Sequence, residues 1–131
     1  MKTLIVEDDF TSRLVLQTFL SRYGECHIAV NGREAVDAFR SAQEHGQGYD
    51  LICMDIMMPE MDGREAVKQV RSLEDTCGIP SSSRVKVIMT TAVDDIKEVM
   101  RCFHELCDAY LVKPINHSEL LERIRGYQLV Q

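Results

Sequence analysis

Short apolar runs alternate with amphipathic stretches along this chain, and the alternation repeats five times within its 131 residues. Leu4-Ile5-Val6 is a β-type run that stops at Glu7-Asp8-Asp9. A helical stretch follows, with Leu16, Phe19 and Leu20 at helix spacing, and closes at Gly24. Cys26 to Val30 reads as a second strand, after which Asn31-Gly32 turns into a helix carrying Ala35, Val36 and Phe39. Beyond a polar loop from Gln43 to Gly48, Leu51-Ile52-Cys53-Met54 forms a third strand ending at Asp55. Asp62-Gly63-Arg64-Glu65 has the Asp-x-x-Glu form of a capping box, so the next helix starts there and runs through Val67 and Val70. Thr76 to Arg84 is a turn-rich loop, and Val85 to Met89 is a fourth strand ending at Thr90-Thr91. Residues 94–106 read as a helix with Ile96, Val99, Met100 and Phe103 on one side. Tyr110-Leu111-Val112 is a short fifth strand ending at Lys113-Pro114. Asn116 to Glu119 is a second capping box, opening a last helix with Leu120, Leu121 and Ile124.

Strands that are apolar throughout, each followed by a helix, belong to a parallel sheet covered on both faces. The expected fold is therefore α/β: a three-layer, doubly wound sheet of five parallel strands. No long linker divides residues 1–131, so they are expected to form one domain. Hydrophobic content of 45% and charged content of 27% are ordinary for a globular protein and exclude a disordered chain. The net charge of -6 repels a phosphate backbone, which argues against direct nucleic-acid binding. The five cysteines are odd in number and contain no Cys-x-x-Cys pair. Acidic residues arrive too soon after Met1 for a signal peptide, and no apolar run is long enough to span a bilayer. A cytoplasmic, reduced protein is expected.

In an open α/β sheet, ligands bind beyond the carboxyl ends of the strands. Strand one ends there in Asp8 and Asp9, strand three in Asp55, strand four in Thr91 and strand five in Lys113. A single polar residue in such a place is usually just a solvated turn, but three carboxylates, a hydroxyl and an amine on one edge suit a definite chemistry. Mg²⁺ takes carboxylate oxygens and keeps several waters. The expectation is that Asp9 and Asp55 coordinate it directly and Asp8 acts through a water. With the metal present, an aspartate can attack phosphorus while Lys113 and Thr91 stabilise the transferred group. The cysteines Cys102 and Cys107, with His104, lack metal-site spacing and read as core and surface positions. His27 and His117 read as surface or cap-adjacent polar residues, Arg13 and Arg33 as solvated helix positions, and the methionines mostly as strand-end and core residues.

Several stretches together resemble the response-regulator receiver domains, the CheY-like group. They are Val6-Glu7-Asp8-Asp9, Asn31-Gly32-x-Glu34-Ala35, Met54-Asp55-x-x-Met58-Pro59-x-Met61-Asp62-Gly63, Thr91-Ala92 and Lys113-Pro114. The resemblance covers Lys2 to Tyr127. It implies the flavodoxin-like strand order 2-1-3-4-5 and a Mg²⁺ (or Mn²⁺)-dependent switch without an effector domain of its own. Asp55 would be the phosphoacceptor, taking its phosphoryl group from a sensor histidine kinase or a histidine phosphotransfer protein. Asp8 and Asp9 would be the acidic pair for the metal, with the backbone carbonyl of Met57 as a further ligand. Thr91 would be the switch hydroxyl, Lys113 the phosphate-binding amine and Tyr110 the coupled aromatic, with a cis Lys113-Pro114 bond. Phosphorylation would rearrange a surface made by the 94–106 helix, the fifth strand and the last helix to control a downstream protein.

This sequence departs from the group's usual pattern in two ways. Met57 and Val93 stand two residues after Asp55 and Thr91, and neither can align an attacking water, so slow self-dephosphorylation is expected. The Thr76–Arg84 loop is longer than the usual connection and reads as solvated rather than as a recognition element. A phosphatase of small phosphoesters would want an acid at position 57, and a flavin or nucleotide carrier would not place Asp8-Asp9 where a phosphate sits. The last helix closes near residue 131, which favours a stand-alone protein.

Overall fold

Parallel pairing of the five apolar runs builds the sheet. The computed structural model describes residues 1–58, 60–92 and 106–131. Its strands are β1 (Thr3–Val6), β2 (Cys26–Ala29), β3 (Leu51–Asp55), β4 (Lys86–Thr91) and β5 (Ala109–Val112). They lie in the order β2-β1-β3-β4-β5, every neighbouring pair parallel, as expected. Four helices are described: α1 (Phe10–Leu20), α2 (Gly32–Glu44), α3 (Gly63–Thr76) and α4 (His117–Gly126). Residues 93–105, which hold most of the 94–106 helix predicted from sequence together with Val93, Cys102 and His104, lie outside the described residues, as does Pro59.

Side chains alternate across a strand, so each strand feeds both faces of the sheet. Leu4, Val6, Ile52, Met54, Val87 and Met89 pack on one face with Ala35, Val36 and Phe39 of α2 and with Ala66, Val67 and Val70 of α3. Ile5, Leu51, Cys53, Ile88 and Leu111 pack on the other with Leu16, Phe19 and Leu20 of α1 and with Leu120 and Ile124 of α4. Both central strands β1 and β3 are buried along their whole length, which is why they read as unbroken apolar runs. Cys26, Cys53, Cys77 and Cys107 are free thiols, and burial pushes Cys53 up to about 12.

Each helix start is fixed by a side-chain acceptor. Asn31, Asp62 and Asn116 accept the backbone N–H of Glu34, Glu65 and Glu119 at 2.9, 3.0 and 3.1 Å. The Asp62 and Asn116 caps are the ones the capping boxes predict. Thr76–Arg84 holds a short 3₁₀ turn at Ser81–Ser83, and Arg84 stitches it by donating to the Ile79 carbonyl at 3.1 Å and pairing with Asp75 at 2.6 Å.

One polar knot crosses the α3 layer, and the sequence pattern does not announce it. Glu74, only 1% exposed, pairs with Arg71 at 2.6 Å and accepts the Val85 N–H at 2.8 Å. Arg71 also donates to the carbonyls of Val85 (2.9 Å) and Leu106 (2.8 Å) and to the Asp108 carboxylate (3.2 Å). Helix α3 is thus tied to the entries of β4 and β5. Removing one partner of a buried pair leaves the other charge stranded. Glu74→Ala is expected to lower the unfolding free energy in urea by about 3 kcal/mol; an unchanged midpoint would show that the knot contributes nothing.

Candidate functional site at the carboxyl edge of the sheet

The ladder continues one residue past β1 and β5, because Glu7 N–H donates to Ala29 O at 3.0 Å and Lys113 N–H to Thr91 O at 2.8 Å. Glu7 therefore keeps the facing of Ile5 and points where Asp55, two residues after Cys53, also points. The carboxylates of Glu7, Asp8 and Asp55 each have an oxygen within 4.8 Å of the others. Lys113 bridges two of them, its Nζ lying 2.9 Å from Glu7 Oε2 and 3.4 Å from Asp55 Oδ2. Glu7 is fully buried, Asp55 is 6% exposed, and Asp8 opens to solvent.

Asp9 is not part of this cluster. The expected pairing of Asp8 with Asp9 is displaced by one residue, to Glu7 with Asp8. The reason is helix α1: it starts at Phe10 and needs an N-cap, and Asp9 Oδ2 accepts the Ser12 N–H at 2.9 Å. That backbone hydrogen bond, above all, holds the exposed Asp9 carboxyl below the usual carboxylate range. Arg13, expected to be solvated, reaches back to the Glu7 carbonyl at 3.3 Å and lies over the Phe10 ring at 5.5 Å.

The remaining predicted residues surround the cluster. Thr91, 1% exposed, donates its hydroxyl to Ala92 O at 3.1 Å. Tyr110, on β5, packs against the α2–α3 face of the core. The Met57 N–H lies 3.4 Å from Asp55 Oδ1, and its side chain is 63% exposed, unlike the core methionines Met54 and Met89. The Lys113-Pro114 bond is cis. His27 hydrogen-bonds Tyr49 Oη at 2.8 Å and pairs with Glu25 at 3.2 Å, and His117 stacks on Phe19 with ring centres 4.6 Å apart.

The β3–α3 loop is held down by two glycines. A Cβ on Gly63 would sit 2.3 Å from the Asp55 carbonyl oxygen, and one on Gly32 would sit 2.3 Å from that of Met61. Their N–H groups instead close the loop, Gly63 onto Ile56 O at 2.9 Å and Gly32 onto Met61 O at 3.0 Å. The Asn31-Gly32 pair is thus more than a turn, because it lets α2 approach the loop that leaves Asp55.

Burial and then the Glu7 charge push the Asp55 carboxyl up to about 6, against the pull of Lys113. For Lys113, burial pulls downward, but the Glu7 hydrogen bond and the Asp55 charge outweigh it and leave the amine above its ordinary value. Among the described residues Lys113 brings one ammonium to two of these three acids, so the donor set suits a hard divalent cation with oxygen ligands.

The sequence profile of the response regulator receiver domain matches residues 3–125. The chain belongs to that family. This receiver domain is 32% identical over 127 residues to hybrid signal transduction histidine kinase L of Dictyostelium discoideum, covering 96% of this chain and 7% of that protein. It is also 32% identical over 125 residues to the response regulator protein VraR of Staphylococcus saprophyticus, covering 95% and 55% respectively. The chain thus spans between 6% and 55% of the length of such curated relatives. Among solved structures it resembles a chain in the co-crystal of the Saccharomyces cerevisiae phosphotransfer protein Ypd1 with the receiver domain of its downstream response regulator Ssk1. There the TM-score is 0.84 at 30% identity, over 99% of this chain and 92% of that one. The receiver domain of sensor histidine kinase PA1611 from Pseudomonas aeruginosa, solved with a magnesium ion in its active-site cleft, gives a TM-score of 0.77 at 28% identity, over 96% and 95%.

Two signals in the sequence point to the observed acids. Ile5 and Glu7 share a strand face, and Asp9 stands three residues before Ser12 at a helix start. Gly63→Ala is expected to lower the unfolding free energy by about 1–3 kcal/mol, because the Asp55 backbone must move to admit the methyl group. Urea denaturation measures it, and a midpoint equal to that of the parent protein would contradict the close approach.

Proposed function

We propose that this receiver domain is a phospho-accepting switch in which Asp55 takes the phosphoryl group of a phosphohistidine. The observation that carries the reading is the cluster itself: Asp55 within 4.8 Å of Glu7 and Asp8, with the Lys113 ammonium 3.4 Å from its carboxylate. An oxygen of Asp55 bonds to phosphorus while the phosphorus–nitrogen bond breaks, and the electron pair of that bond stays on the donor histidine. Glu7, Asp8, Asp55 and the backbone carbonyl of Met57 would hold Mg²⁺ (or Mn²⁺), which would supply positive charge for the phosphoryl oxygens. Lys113 contributes a second positive charge from the protein. Thr91 exchanges its bond to Ala92 O for one to the phosphoryl group, and Tyr110 follows it inward. That movement biases the surface around β5 and α4, to which a downstream protein responds.

The donor is a sensor histidine kinase or a histidine phosphotransfer protein. The likeness to the Ssk1 receiver domain, crystallised with Ypd1, supports that partner class. No described helix is long and apolar enough to cross a membrane. The cytoplasmic location we propose rests on the odd cysteine count without a Cys-x-x-Cys pair and on the early acidic residues. Residues 1–131 form one receiver domain that turns over no metabolite, and their net charge of -6 does not favour nucleic acid. Self-dephosphorylation is slow, because the Met57 side chain offers no hydrogen bond to a water beside Asp55.

Incubation with acetyl phosphate and Mg²⁺ tests the reading. A single acid-stable, base-labile phosphoryl adduct is expected, absent from Asp55→Asn and absent when the metal is chelated. Multiple-turnover release of phosphate from many phosphoesters would instead indicate a phosphatase. The isolated adduct is expected to outlast a gel or mass-spectrometric measurement, and loss within seconds would contradict the role given to Met57.

A further inference from the structure

Ile5, Cys53, Ile88 and Leu111 all belong to the core layer beneath α1 and α4. Two residues after each of them, on the same face, stand Glu7, Asp55, Thr90 and Lys113. Three of these four converge, with Lys113 Nζ 2.9 Å from Glu7 and 3.4 Å from Asp55. The fourth, Thr90, sits on β4, between the strands that carry Asp55 and Lys113. Its Cα is paired with Asp55 on β3 and with Leu111 on β5, and its carbonyl accepts the Ile56 N–H at 3.1 Å.

Thr90 is 1% exposed, and its hydroxyl oxygen has no hydrogen-bond partner among the described residues. Buried hydroxyls are seldom left unpaired, because the lost bonds to water are not replaced. A valine would fill the same volume in a β-strand at no such cost. Thr91 cannot share this role, since neighbouring strand residues face opposite sides.

The arrangement around Lys113 gives the hydroxyl a use. A cation that binds Glu7 and Asp55 competes with the Lys113 ammonium for the same carboxylate oxygens. Once displaced from Glu7, the ammonium is still half-buried and needs another acceptor. We propose that Thr90 is a positioning residue whose hydroxyl accepts a hydrogen bond from Lys113 when a divalent cation occupies Glu7, keeping the ammonium aimed at Asp55. The proposal rests on the reading of Asp55 as a metal-dependent phosphoacceptor.

Mn²⁺ alone is the probe, titrated into the full chain and followed by electron paramagnetic resonance. Thr90→Val keeps the shape and removes the hydroxyl, whereas Thr90→Ser keeps the hydroxyl. Without metal, Thr90→Val is expected to unfold in urea at the parent midpoint or above it. It should bind Mn²⁺ about tenfold more weakly, the scale of one lost hydrogen bond to a charged group. Thr90→Ser should restore the parent affinity, and the extra thermal stability that saturating Mn²⁺ confers should shrink only in the valine variant. Equal Mn²⁺ affinity in all three proteins, or a serine variant as weak as the valine one, overturns the role of Thr90. If Asp55→Asn still abolishes labelling by acetyl phosphate, the phosphoacceptor reading stands and only the positioning role has failed. A parent protein that neither binds Mn²⁺ nor takes label would overturn both.

Discussion

Repulsion among Glu7, Asp8 and Asp55 is the condition on which the carboxyl edge of this sheet is built. Carboxylates that share such a space cannot all stay ionised unless positive charge is brought to them. Lys113 brings one charge, and its contacts at 2.9 and 3.4 Å are made to the two most buried acids. It does not cover Asp8, which opens to solvent. Burial first, and then the Glu7 charge, hold the Asp55 carboxyl up at about 6 against the pull of Lys113. A divalent cation held by these acids would offset their charge, and the Lys113 ammonium beside Asp55 would add positive charge for a phosphoryl group.

The surrounding fold keeps those groups from drifting apart. β1 and β3 are direct neighbours in the sheet, and one parallel register places Val6 beside Met54, so Glu7 and Asp55 emerge side by side. Gly63 then folds the exit of β3 back onto the Asp55 carbonyl, and Gly32 brings α2 against the same loop. On the far edge, the Arg71–Glu74–Asp108 knot fixes where β4 and β5 begin, and hence where Thr91 and Lys113 end up.

Much of this is legible in the sequence. The strands are apolar throughout because both faces are covered, so their number and carboxyl ends are readable, whereas their order 2-1-3-4-5 comes only from the family resemblance. The Asp62 and Asn116 capping boxes mark two helix starts within a residue. What misled was a local competition. Glu7, Asp8 and Asp9 are three acids in a row, and the pattern of charge alone does not say which one the helix will consume as its cap. The Ser12 N–H claims Asp9, and the β ladder, extended by the Glu7 N–H, turns Glu7 inward. Arg71 and Glu74 were invisible for a different reason. Three residues apart on a helix they look like a surface pair, and only the packing of α3 against the entry to β4 buries them. Thr90 and Thr91 likewise read as a polar strand end, although β4 includes both and sends them to opposite faces.

Glu7, Asp8 and Asp55 are the acids proposed to hold the metal, while Asp9 caps helix α1. Isothermal titration of Mn²⁺ into Asp8→Asn and Asp9→Asn separates the two arrangements directly. Loss of binding in Asp8→Asn with near-parent affinity in Asp9→Asn is the outcome this geometry predicts. Binding that survives in Asp8→Asn but disappears in Asp9→Asn would contradict it.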